Sequence, residues 1–142
     1  MKYIRGNIFA STAQVLVNPV NTEGIMGSGL AFQFKIRYMG MFHEYIRECR
    51  SGVLDIGKPT IYKTSYKWIL NFPTKRKWKD PSELEYIIQG LEMLVETYQE
   101  LGIQSIAFPK LGCGYGNLEW SEVKQVMEKY LGKLPIEILI YI

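Results

Sequence analysis

Three stretches of the 142-residue chain carry residues that could do chemistry, and each follows an apolar run. Residues 17–35 (VNPVNTEGIMGSGLAFQFK) place Asn18 and Asn21 just ahead of Gly24, Gly27 and Gly29. The segment NFPTKRKWK sets Lys75, Arg76, Lys77 and Lys79 within five positions, around Trp78. The segment PKLGCGYGNLEW opens at Pro109 and carries Gly112, Cys113, Gly114, Tyr115, Gly116 and Asn117. Glycine permits positive φ and lets another group approach the backbone closely. A helix start beyond such a turn offers free N–H groups and a positive dipole end, which suit phosphate. Two such loops could grip a diphosphate from both sides. Either alone could be only a tight turn, but the recurrence of strand, glycine loop and helix favours a ligand site. The pattern is not a Walker loop, since no Gly-Lys-Ser/Thr occurs, and GIMGSG has the wrong spacing for a dinucleotide fingerprint.

The side chains narrow the chemistry. Asn18, next to Pro19, reads as an Asx turn. Asn21 lies closer to the glycine turn, where its amide could hold a sugar hydroxyl or make a turn of its own. Lys75 follows a strand directly and so could reach the rim of the same pocket. Its cationic neighbours should lower its pKa from about 10.4, raising the neutral, nucleophilic fraction. Trp78 among Arg76, Lys77 and Lys79 suits nucleic acid, by base stacking beside phosphate contacts, with a solvated basic loop as the plain alternative. His43 is the only histidine and is expected on a helix surface, against a histidine-based triad or metal site. Cys113 has no histidine partner and reads as a small packed residue. No paired carboxylates flank the loops, and Glu119 reads as a helix-start residue. No metal is expected.

Short strands are expected at 3–4, 14–17, 60–64, 68–71, 105–108 and 136–142. A helix starts at Ser28, with Leu30 and Phe34 on one face. Gly40 should interrupt it, and a second helix carries Met41, Tyr45 and Cys49 before Gly52. A third starts at Ser82, whose hydroxyl and Glu85 make a capping-box pattern behind Pro81. Its stripe runs through Leu84, Ile87, Ile88, Leu91, Leu94, Val95, Tyr98 and Leu101 to Gly102. Ser121 caps a last helix with Val123, Val126, Met127 and Tyr130 inward. This alternation predicts an α/β fold with a mixed, largely parallel sheet and helices on both faces. Length suggests one domain over residues 1–142. No signal peptide or membrane-length apolar run is visible. Cys49 and Cys113 make neither a disulfide framework nor metal-ligand spacing, so a reduced, cytoplasmic setting is expected. The net charge of +3 is a weak hint of an anionic partner.

Residues 17–35 resemble the first ligand loop of macrodomains, the ADP-ribose-binding α/β/α modules, and PKLGCGYGNLEW resembles their second, phosphate-holding loop. NFPTKRKW is similar to the DarG branch, DNA ADP-ribosyl glycohydrolase antitoxins to which the human terminal ADP-ribose protein glycohydrolase is more distantly related. The resemblance covers essentially the whole chain, with three motifs in the right order. It implies a three-layer α/β/α fold around a central mixed, largely parallel sheet. It also implies ADP-ribose as ligand and product without a cofactor, ADP-ribosylated single-stranded DNA as substrate, and a DarT-like toxin as counterpart. The implied reaction is hydrolysis of the N-glycosidic bond to thymine. By motif, Lys75 stands at the catalytic lysine and Asn21 at the asparagine on the distal ribose. Gly27, Ser28, Gly29 and Leu30 match the first loop. Gly112, Cys113, Gly114, Tyr115 and Gly116 match the second, with Thr74, Pro109 and Asn117 completing the ligand contacts. Asn7 and Ile8 fall where the family meets adenine. Asn7 replaces an aspartate common in macrodomains, keeping a carbonyl acceptor but losing the charge. Gly116 stands where the human relative has an aspartate, an acid the DarG branch also lacks. Two other readings stay open. One is a non-catalytic ADP-ribose reader; the other is a hydrolase of protein-linked ADP-ribose, O-acetyl-ADP-ribose or ADP-ribose 1″-phosphate. Neither specifically requires the KRKWK run.

Overall fold

Alternating apolar residues become strands and 3.6-period stripes become helices, in a computed structural model that describes all residues from Met1 to Ile142. The strands are β1 (Lys2–Ile4), β2 (Val15–Asn21), β3 (Thr60–Lys63), β4 (Trp68–Lys75), β5 (Ser105–Phe108) and β6 (Glu137–Tyr141). The helices are α1 (Gly29–Arg37), α2 (Met39–Ser51), α3 (Leu84–Thr97) and α4 (Trp120–Leu131). The sheet order is β1-β6-β5-β2-β4-β3, parallel throughout except for the antiparallel β3–β4 edge.

The period of two divides β2 between two cores. Val15 and Val17 pack in one cluster with Ile87, Leu91 and Leu94 of α3 and Val123 and Met127 of α4. Leu16 and Val20 pack in the other with Phe34 of α1 and Met41 and Tyr45 of α2. The result is a three-layer α/β/α sandwich with a mixed, mostly parallel sheet. No helix is long and apolar enough to cross a membrane.

Several boundaries differ from expectation. β2 and β4 run on to Asn21 and Lys75, through Pro19 and Pro73. Both prolines lie beyond an outer neighbour: β2 pairs with β5 only at Val15 and Leu16, and β4's pairing with β3 ends at Asn71. A missing N–H there costs few ladder bonds. Gly40 lies inside α2; the break is at Tyr38, with φ −135° and ψ 68°. Gly40 instead admits the Tyr62 hydroxyl, which an added Cβ would meet at 2.6 Å. The capping box is absent, because α3 begins at Leu84 with Glu83 at its N-cap and no side-chain cap bond. Ser121 lies within α4, whose N-cap is Glu119.

Gly90 of α3 meets the sheet where Phe72 is fully buried, and an added Cβ would stand 2.3 Å from the Phe72 ring. Gly90→Ala is therefore expected to cost about 1–3 kcal/mol by overpacking, despite alanine's better helix propensity. Urea unfolding should show a lower midpoint at unchanged slope. An unchanged midpoint would mean that the Phe72 ring yields freely.

Candidate active site

The parallel strands β2, β4 and β5 end at one edge of the sheet, where ligands of such sheets bind. The β2–β4 register slips there: Val20 pairs with Pro73, but Asn21 pairs with Lys75. Thr74 is the extra residue of this bulge, with its hydroxyl 3.4 Å from the Val20 carbonyl. The slip sets Asn21 and Lys75 side by side at the open end. Lys75 is half-buried, and its Nζ donates to the Trp78 carbonyl at 2.9 Å. The basic loop is strapped to the first loop by three groups. The Thr22 N–H donates to the carbonyls of Lys75 and Arg76, the Thr22 hydroxyl donates to the Arg76 carbonyl, and the Trp78 N–H donates to Glu23 Oε2.

Burial lowers the Lys75 pKa from its ordinary value, and Asp80 opposes that shift. The cationic neighbours are thus not the cause that the sequence suggested. They are exposed, and the Arg76 guanidinium lies 3.7 Å from Asp55 and 5.5 Å from the Tyr86 ring.

Asn21 is 6% exposed and mostly committed to its own loop. Its Oδ1 accepts from the N–H groups of Glu23 and Ile25 and from the Tyr45 hydroxyl, and its Nδ2 donates to the Ile25 carbonyl at 2.8 Å. One Nδ2 hydrogen remains for a ligand. Asn18 makes no Asx turn. β2 continues through it, so its side chain is buried and donates to Asn71 Oδ1 at 3.1 Å.

After the first loop, α1 starts at Gly29 with Ser28 as an N-cap that makes no side-chain cap bond. The first main-chain bond of this helix joins the Phe32 N–H to the Ser28 carbonyl, so the earlier amides stay open. In the second loop the Cys113, Asn117 and Leu118 N–H groups donate to the carbonyls of Lys110, Gly114 and Gly112. Asn117 adopts φ 63° to close the turn.

The loop glycines are of two kinds. At Gly116 an added Cβ would stand 2.2 Å from Ser82 Oγ and 2.5 Å from the Gly112 carbonyl, so the protein's own packing demands glycine. At Gly114 it would meet nothing within 4 Å, and at Gly27 only Ile25 at 3.6 Å. Neither glycine is required by the fold.

The three segments enclose one cavity of about 1010 Å³. Asn21, Gly27, Ser28 and Leu30 line it from the first loop, and Thr74, Lys75, Trp78 and Lys79 from the end of β4. Pro109, Gly112, Cys113, Gly114, Tyr115 and Gly116 line it from the second loop. Four residues expected on ADP-ribose do not line it, nor do Arg76 and Lys77, which were expected on DNA. Asn7 caps the short 3-10 turn Ile8–Ala10 through the Phe9 N–H, and Ile8 is a core residue. Gly29, at φ 62°, lies against the Tyr115 ring. Asn117 serves the turn, and Arg76 and Lys77 stand outside. Sequence reasoning missed Pro19, Val20, Ile25, Met26, Ala31, Lys110 and Tyr141 as lining residues. Of these only Lys110, the one cation of the second loop, carried a visible signal. Burial raises the pKa of Cys113, which is half-buried with its thiol donating to the Leu111 carbonyl at 3.4 Å. His43 is exposed on α2.

The Macro domain family model matches residues 17–127. The chain is 40% identical over 146 residues to a DNA ADP-ribosyl glycohydrolase of Thermus aquaticus, covering 99% of this chain but 41% of that protein. It thus spans about two-fifths of the length of the DNA ADP-ribosyl glycohydrolases it matches. Among solved structures, the macrodomain of Mycobacterium tuberculosis DarG superposes with a TM-score of 0.95 at 41% identity, over 99% of this chain and 97% of that one. Thermosipho africanus DarTG in complex with ADP-ribose gives the same TM-score and identity, over 98% of this chain and 40% of that one. By sequence and by backbone alike, this chain belongs to the macrodomain family.

Proposed function

We propose that the chain is an ADP-ribosyl glycohydrolase that removes ADP-ribose from thymine bases of single-stranded DNA, in the cytoplasm, as the antitoxin-like counterpart of a DarT-like transferase. The observation that carries this reading is Lys75: a half-buried amine at the lip of a cavity walled by two glycine loops, beside Asn21. A pure reader needs the loops but has no use for that amine. The similarity to a DNA ADP-ribosyl glycohydrolase and to a DarTG bound to ADP-ribose supports the same substrate class.

The open amides of α1 and of the second loop receive the diphosphate. Asn21, through its remaining Nδ2 hydrogen, and the first loop orient the distal ribose. The neutral Lys75 amine directs its lone pair at the anomeric carbon. The bond from that carbon to the base nitrogen breaks, and the base leaves with the electron pair and takes up a proton. The sugar–lysine adduct opens to a Schiff base, and water then releases ADP-ribose and restores the amine. If the amine instead stays protonated, it stabilises charge on the departing base and water attacks directly. Borohydride trapping of sugar on Lys75 separates these routes.

Incubation with ADP-ribosylated single-stranded DNA and ADP-ribosylated protein, side by side, tests the substrate. Release of ADP-ribose with return of the strand to its unmodified mass is expected. Binding without release would make the chain a reader, and release from protein alone would move it to another substrate class. Activity on DNA should fall as salt rises, by counterion release. Replacing Arg76, Lys77 and Lys79 together with Ala should flatten that slope while sparing affinity for free ADP-ribose. An unaltered slope would return this run to a solvated loop.

A further inference from the structure

Ser82 sits behind the second loop with a hydroxyl that no protein group satisfies. The residue is 5% exposed and its Oγ is fully buried without a hydrogen-bond partner. Its main-chain N–H donates to the Gly116 carbonyl at 2.9 Å, which fixes it against the back of the loop. The approach is close enough that a Cβ on Gly116 would stand 2.2 Å from Oγ, and one on Gly112 3.2 Å from Ser82 Cβ. The helix cap that its sequence pattern suggests is not made, since α3 starts beyond it. A buried hydroxyl without a partner is unfavourable, and native structures hold few of them without a reason.

The second loop beside it holds further unpaired groups. The N–H groups of Gly114, Tyr115 and Gly116 donate to no protein acceptor, and the Tyr115 carbonyl accepts from no protein donor. That carbonyl shares a planar trans peptide unit with the Gly116 N–H, so the two point in opposite directions. A Gly116 N–H facing an anion in the cavity would turn the Tyr115 carbonyl away from the cavity, and Ser82 Oγ lies close against Gly116, the next residue.

We propose that Ser82 is a positioning residue whose hydroxyl donates to the Tyr115 carbonyl only when the loop holds the diphosphate of ADP-ribose. The proposal rests on the ADP-ribose reading above. It makes an unmet hydrogen bond of the free protein into affinity for a ligand that Ser82 never touches. A merely structural serine would contribute to both states in the same sense.

The test is Ser82→Ala in the full chain, with melting of the free protein and ADP-ribose titration in a calorimeter. The free variant should melt about 2 °C or more above native, because an unsatisfied hydroxyl is gone. Its ADP-ribose affinity should fall about tenfold. On ADP-ribosylated DNA, KM should rise at constant kcat, as for uniform binding. A lower melting temperature, or an affinity within about twofold of native, overturns the proposal. Failure of the native chain to bind ADP-ribose in the same titration overturns the functional reading, and this inference with it.

Discussion

Lys75→Ala is expected to lower turnover of ADP-ribosylated single-stranded DNA by at least about 100-fold, the typical minimum for one positioned catalytic group. Affinity for ADP-ribose should change little. Both routes proposed for this residue require a side-chain nitrogen at the anomeric carbon, whereas the proposed diphosphate site lies in the two loops, away from Nζ. The loss should not come from a collapsed loop. Thr22 and Glu23 hold the main chain of residues 75–78 independently of Nζ. On the covalent route Lys75→Arg should fail as well, because guanidinium stays protonated and cannot attack, whereas on the electrostatic route it should keep part of the activity. Since burial lowers the Lys75 pKa, the neutral amine becomes abundant at lower pH than for an ordinary lysine. If attack limits the rate, kcat should rise with pH and level off below about 10.4, the ordinary lysine value. A Lys75→Ala chain that works at the native rate would refute the mechanism.

Gly114→Val is expected to cost about 100-fold or more in ADP-ribose affinity, equivalent to about 2.7 kcal/mol, while leaving the fold intact. The position has ordinary φ, and a Cβ added there would meet no protein atom within 4 Å. On the proposed reading, glycine there leaves room for the diphosphate. At saturation ADP-ribose should raise the melting temperature of the native chain by mass action, and the variant should lose that shift. Gly116→Ala differs in kind, since it meets Ser82 Oγ and the Gly112 carbonyl and should destabilise the free protein too. A Gly114→Val chain with a native ligand-induced shift would place the diphosphate elsewhere.

The sequence showed the layers because its patterns were local. The α3 stripe and the compact run Ser105–Phe108 each identify their own element. It also showed that both glycine loops follow strands, and both do line the cavity. What it hid depended on partners far along the chain. Pro19 and Pro73 look like strand ends until it is known where β5 and β3 stop pairing. The bulge at Thr74, which aligns Asn21 with Lys75, is a property of two strands and has no signature in either. Ser82 carries a valid cap pattern, yet its N–H is claimed by Gly116 across the fold. For Lys75, neighbours in sequence suggested charge repulsion, whereas its burial by neighbours in space sets the shift.

The central claim is that one cavity presents the reactive carbon of ADP-ribose to Lys75. A crystal structure of this chain with ADP-ribose measures it most directly. The account predicts the diphosphate between the two loops, within hydrogen-bond reach of the amides near Gly27 and Gly114. It also predicts the distal ribose beside Asn21, with its anomeric carbon about 3–3.5 Å from Lys75 Nζ, the reach of a near-attack geometry. A diphosphate outside the loops, or an anomeric carbon turned away from Lys75, would contradict it.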